Sequence, residues 1–161
     1  MQNIIDQVLD LLKTSLSNKV KTFYQGNPMN LTTSMLPVVF VEANGSDTSV
    51  NATGLDAVVH TITIGLIYDK RSELGGVLNE NVANRTMIKI MEDRNANGQY
   101  ADDSITGIVR KNFTLNNSIN NQLLSLKYSV SNRGTAQAPI IYDEARITFR
   151  VTEFVPVPSR V

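Results

Sequence analysis

The most regular pattern of apolar and polar positions runs through residues 55–70, LDAVVHTITIGLIYDK. From His60 to Tyr68 the chain alternates. Ile62, Ile64, Leu66 and Tyr68 share one parity, while Thr61, Thr63 and Gly65 share the other. A period of two predicts a strand with one face on a core. Val58, Val59 and Ile67 put apolar surface on the other face too. That face is therefore expected to be covered in part, by a neighbouring element or by another subunit.

The remaining elements are read around this central strand. At 2–23, Ile5, Val8, Leu9, Leu12, Leu16, Val20 and Phe23 recur every three or four residues, which predicts an amphipathic helix. Gln25-Gly26-Asn27-Pro28 supplies its stop. Residues 36–43, LPVVFVEA, read as a strand buried on both faces, with Pro37 at its start. Residues 44–54 are rich in Asn, Ser, Thr, Gly and Asp and read as a protruding loop between two antiparallel strands.

A second helix is expected over 77–93, on a stripe of Leu74, Leu78, Val82, Met87, Ile88 and Met91. A polar loop at 95–104 then leads to a short strand at 105–111, and 112–121 reads as turn-like. Strands are expected at 123–130 and 140–155, with a loop from Asn132 through Ala138 between them. In the last strand Ala145, Ile147, Phe149 and Val151 oppose Arg146, Thr148, Arg150 and Thr152. Pro156 and Pro158 close it, and 156–161 is a loose tail. The expected architecture is α+β, in the order helix-strand-strand-helix-strand-strand-strand. It is one domain over 1–161, a largely antiparallel sheet of about five strands covered by two helices.

Composition adds boundaries. The 161 residues suit one domain with a core of its own, and 42% are apolar. There is no cysteine, so disulfide and thiolate chemistry are excluded; with no secretory leader, a reducing cytosol is the expected compartment. Fifteen basic residues balance fifteen acidic ones, which argues against DNA as a primary ligand. No apolar run is long enough to span a membrane.

Candidate chemistry is sparse. Asp93, Asn95 and Asn97 followed by Gly98 open like a calcium-binding loop. The twelfth position is Ser104 rather than a bidentate Glu, and the next segment reads as strand. A turn built from turn-formers, with no metal, is the expectation. His60 is the only histidine and reads as a hydrogen-bonded or edge residue. Asp69 with Glu73, and Asp143 with Glu144, are carboxylate pairs near strand ends, read as solvated loop charges rather than acid–base catalysts. No catalytic residue and no cofactor are expected. Arg146 and Arg150 share one strand face and are candidates for charge pairing between subunits or toward a lumen.

The succession of an amphipathic helix, the strand Leu36-Pro37-Val38-Val39-Phe40-Val41, a strand closing in Leu66-Ile67-Tyr68-Asp69, a covering helix and a strand ending Ile147-Thr148-Phe149-Arg150-Val151 resembles the tail terminator (tail completion) proteins of tailed bacteriophages. The resemblance spans residues 4–155 and lies in the order of elements, not in a motif. It implies a non-enzymatic virion protein, assembled in the host cytoplasm, that forms a homo-oligomeric ring, a hexamer. The ring would cap the tail tube protein, stop its polymerisation and join it to the head connector or neck protein, with DNA only passing through the lumen and no membrane contact. The alternatives are another neck, connector or tube-like virion protein, or a small cytosolic ligand- or calcium-binding module.

Overall fold

The computed structural model describes residues 2–50, 54–69, 80–111, 114–116, 119–122, 129–135 and 138–158. Its first element is helix α1, Gln2–Leu16, with Ile4, Ile5, Val8, Leu9, Leu12 and Leu16 buried along one stripe. The helix stops earlier than the apolar period suggests. Leu16 O accepts from both Lys19 N and Val20 N, and the chain then enters strand β1, Thr22–Gln25. Val20 and Phe23 fit a helical period, but the run from Val20 to Tyr24 is β-branched and aromatic. It finds a partner thirteen residues or more downstream. Lys21 N and Thr22 N donate to Pro37 O, and Thr22 Oγ1 donates to Met35 O.

Strand β2, Val38–Val50, and strand β3, Leu55–Asp69, pair antiparallel from Val38↔Ile67 to Val50↔Asp56. The polar stretch after Ala43 is therefore not a loop. It continues the ladder past a bulge between Ala43 and Ser46, where Gly45 has φ +123°. Turn-forming side chains are tolerated there because every residue from Ala43 to Val50 is exposed. Leu36-Pro37, at the entry to β2, is a cis peptide bond.

Helix α2, Glu80–Glu92, follows, then α3, Ile105–Lys111, where a strand was expected. Ser104 caps α3: its Oγ accepts from Gly107 N at 3.2 Å and donates to Ala101 O at 2.8 Å. Strands β4, Thr114–Asn116, and β5, Ile119–Gln122, form a small hairpin in the Asn-rich segment. Strand β6, Ser129–Thr135, and the long strand β7, Ala138–Pro156, complete the chain. Residues 123–128 of the expected strand, Glu73 and Leu74 with Leu78 lie outside the described residues.

The fold is α+β; among the described residues there are one seven-stranded sheet and three α-helices, where five strands and two helices were expected. The order is β1-β2-β3-β7-β5-β4, and β6 attaches to the same margin of β7 as β5 but at its other end. All strand pairs are antiparallel except β1 with β2. The strand at 55–69 is central, flanked by β2 and β7 over nearly its whole length.

One face of the sheet carries the core. Val39 and Val41, Ile62, Ile64, Leu66 and Tyr68, and Ala145, Ile147, Phe149 and Val151 pack against apolar residues of α1, α2 and α3. The parities read for Ile62 to Tyr68 and for Ala145 to Val151 are those observed; Val58, grouped with Val59 and Ile67 in the sequence, instead shares the face of Ile62, two residues before His60 in the same alternation. The opposite face holds a smaller cluster of Leu36, Val38, Phe40, Ile67 and Tyr142, packed by Tyr24, Leu31 and Met35. The chain's own link between β1 and β2 thus covers Ile67; no other subunit is needed to bury it. Gly65 is required here. A Cβ at that position would lie 2.1 Å from Cζ of the Phe40 ring, which crosses the strand at this point.

Candidate assembly surface

Two features stand out from this frame: a polar bridge on the face away from the helices, and a ribbon that runs beyond them. The bridge centres on Arg146, which sits directly opposite Gly65. Its Nη1 donates to Glu42 Oε1 at 2.9 Å, and its Nε donates to Glu144 Oε1. Its guanidinium lies 5.4 Å from the centroid of the Phe40 ring. The missing side chain at Gly65 lets Phe40 lie flat across β3, and Arg146 covers the ring. Beside it, Thr63 Oγ1 and Thr148 Oγ1 are 3.0 Å apart.

Arg146 is thus occupied within its own subunit, bridging β2 and β7. Arg150 shares its face but is exposed, with no ion pair among the described residues. Of these two arginines, Arg150 is the one whose charge is unengaged among the described residues. Asp69, Asp143 and Glu144 are not the solvated loop charges expected: they lie in strands and are 6%, 2% and 2% exposed. Arg146 holds Glu144 within hydrogen-bond range, which offsets the cost of burying that carboxylate.

The ribbon consists of the distal halves of β2 and β3 with the end of β7. His60 marks where it leaves the body. His60 is 4% exposed, and its Nε2 lies 2.8 Å from Glu153 Oε2 on β7. It is a hydrogen-bonded strand histidine, as its position in the sequence suggested. Beyond it, the sheet face that the helices cover elsewhere continues as Val58, Val50, Val155 and Val157. Val50 is 90% exposed, and Leu55, Val155 and Val157 are also exposed. Val157 N donates to Gly54 O at 2.8 Å, which carries the pairing of β7 with β3 to the end of the ribbon. Past the level where β5 pairs with Thr152 and Glu153, the ribbon is three-stranded and its apolar tip residues are exposed.

In the calcium-like loop the side-chain oxygens accept hydrogen bonds within the turn. Asp93 Oδ1 accepts from Arg94 N at 2.9 Å, and Asn95 Oδ1 accepts from both Asn97 N and Gln99 N at 3.0 Å. Gly98 turns the chain at φ +76°, Arg94 pairs with Tyr100, and the Arg94 guanidinium stacks 5.1 Å from the Tyr100 ring centroid. Asn97 and Asp93 stand at the exposed corner and at its entry. These oxygens organise a helix-to-helix turn whose second helix the sequence reading missed; the Ser104 cap was its signal. Among the described residues no group of three or more His, Asp or Glu could hold a metal ion.

Lys19 ties this turn to the end of α1. Its Nζ lies 2.6 Å from Asp103 Oδ2 and donates to Asp103 O at 3.0 Å. The hydrogen bond from Lys19 lowers the Asp103 carboxyl below its usual value. Among the described residues no helix is long and apolar enough to cross a membrane. Neither protein-family models nor curated proteins match the chain.

Proposed function

We propose that this chain is a structural, non-enzymatic virion protein: a tail terminator that assembles into a ring, a hexamer by resemblance. The ring caps the tail tube of a tailed phage, stops its growth and presents a surface to the head connector. The reading rests on the order of elements described above. The observation that carries it is the β2–β3–β7 ribbon, which continues past the part of the sheet packed on the described helices and exposes valine and leucine at its end. A chain that carries out its role alone has little use for such a projection, whereas a subunit in an assembly has a contact to make with it.

In this reading Arg150 is the charge available for a contact with a neighbour or toward the lumen, while Arg146 stiffens the subunit. DNA meets the ring only in passage, in keeping with fifteen basic and fifteen acidic residues. The test adds purified protein to growing tail tubes and images them. Capped tubes of restricted length support the reading. Tubes that elongate unchecked, with no density on their ends, reject it.

A further inference from the structure

We infer that the exposed edge of β2, from Ala43 to Val50, pairs antiparallel with the outer edge of β6 in a second copy of the chain. The ring contact of the preceding reading would then be a strand-to-strand joint that continues the sheet from one subunit to the next.

The sheet is open on both margins among the described residues. β1 covers β2 only from Val38 to Val41. From Glu42 onward the outer edge of β2 pairs with no strand among the described residues, although it runs to Val50. Alternate residues along such an edge turn both N–H and C=O outward to solvent, a row that an extended chain can pair with along its whole length. The devices that keep edges apart are scarce. There is no Lys, Arg or Pro between Ala43 and Val50; Asp47 is the single charge, and the bulge lies at the near end.

The same sheet carries a matching edge on its opposite margin. β6 pairs with β7 on one side and with no described strand on the other. Its register shifts between Arg133 and Thr135, which leaves Ser129 to Arg133 regular, against Ser46 to Val50 past the bulge of β2. Direction also agrees. β2 and β7 both run antiparallel to β3, and β6 runs antiparallel to β7. When two copies stand side by side in the same orientation, β6 of one therefore meets β2 of the next antiparallel, the stronger pairing.

The two edges also differ in level. β6 lies opposite Tyr142 to Arg146, at the end of the sheet away from the ribbon, whereas the open part of β2 lies at the ribbon. Joining them shifts each copy along the strand axis relative to the last. A stagger of this kind is what a closed ring of tilted strands requires. The joint uses two different surfaces, so it is heterologous and repeats around a ring, whereas pairing of β2 with itself would stop at a dimer.

The test uses the full-length protein, with native mass spectrometry across concentration and amide hydrogen exchange on the same samples. The joint predicts a species several times 17.8 kDa at high concentration. In it, alternate amides between Ala43 and Val50 and within β6 exchange at least about tenfold more slowly than in the dilute monomer. Asp47→Pro and Thr48→Pro are made separately. Adjacent residues turn their N–H groups to opposite edges, so one variant breaks only the outer edge and keeps the β3 ladder. That variant is expected to fold with wild-type circular dichroism and to stay monomeric.

A chain that remains monomeric up to its solubility limit overturns the inference. So does an assembly in which these amides exchange as fast as in the monomer. The two readings fail separately. Tubes capped by a protein whose β2 edge stays open would sink the joint alone; a staggered assembly that leaves tubes uncapped would sink the terminator reading alone.

Discussion

Replacing Gly65 with alanine places a methyl group inside the Phe40 ring. The added Cβ would lie 2.1 Å from Cζ, 2.2 Å from Cε1 and 2.8 Å from Cε2 of that ring. Ordinary carbon contacts need about 3.5–4.0 Å, so the ring must move by roughly 1.5 Å or more. It has little freedom to do so, because Phe40 is 0% exposed and packs with Leu36, Val38, Ile67 and Tyr142. Overpacking of this kind costs about 1–3 kcal/mol. Alanine recovers about 0.5–1 kcal/mol of backbone entropy, so a net loss of about 1–2 kcal/mol is expected. Phe40→Ala alone should cost about 3–5 kcal/mol, as a buried aromatic does. With the ring gone the methyl has room, so the double variant should be no less stable than Phe40→Ala. Urea unfolding of the four proteins gives the coupling, which should lie between about −1 and −3 kcal/mol. Additivity within about 0.5 kcal/mol would show that Phe40 does not lie across Gly65.

Three further outcomes follow from the bridge and the two turns. Arg146→Met should destabilise by up to about 3–5 kcal/mol, because it takes the guanidinium away from the buried Glu144 carboxylate, and adding Glu144→Gln should recover part of the loss in chemical denaturation. Lys19→Met should lower stability by a small amount near neutral pH, since Asp103 is half exposed. The Asp103 carboxyl is depressed in the folded chain, so this contribution is present above its usual value of 3.8 and disappears as pH falls through the lowered one; melting curves of the two proteins should converge on acidification. Asn95→Ala should cost about 1 kcal/mol by removing the acceptor for Asn97 N and Gln99 N, and millimolar calcium should leave the melting temperature of both proteins unchanged; calcium stabilisation lost on Asp93→Ala would show that the loop binds the ion.

Much of the fold is legible in the sequence where burial is one-sided. The alternation in Ile62, Ile64, Leu66 and Tyr68, and again in Ala145, Ile147, Phe149 and Val151, marks the face that meets the helices. The α1 stripe is equally plain. What the sequence hides depends on partners far along the chain. Val20 and Phe23 satisfy a helical period, and only the carbonyl of Pro37 and the edge of β2 make the segment from Thr22 a strand. The polar residues from Asn44 to Ser49 look like a loop because their ladder is exposed on both faces. The reading of 105–111 as strand failed for another reason: Ile108 and Val109 suggested β structure, while the Ser104 cap and the packing of Ile105, Ile108 and Val109 favoured a helix. The bridge was half visible. Arg146 and Arg150 were placed on one face, but nothing in the pattern said that Gly65, Phe40, Glu42 and Glu144 would engage only the first.

The central claim is that the chain caps a growing tube. The most direct measurement is the length distribution of tail tubes assembled with and without the purified protein, imaged by electron microscopy. The account predicts a sharp upper limit to length and a ring of density on one end of each tube. Unlimited tubes with bare ends, at protein concentrations sufficient for ring formation, would contradict it.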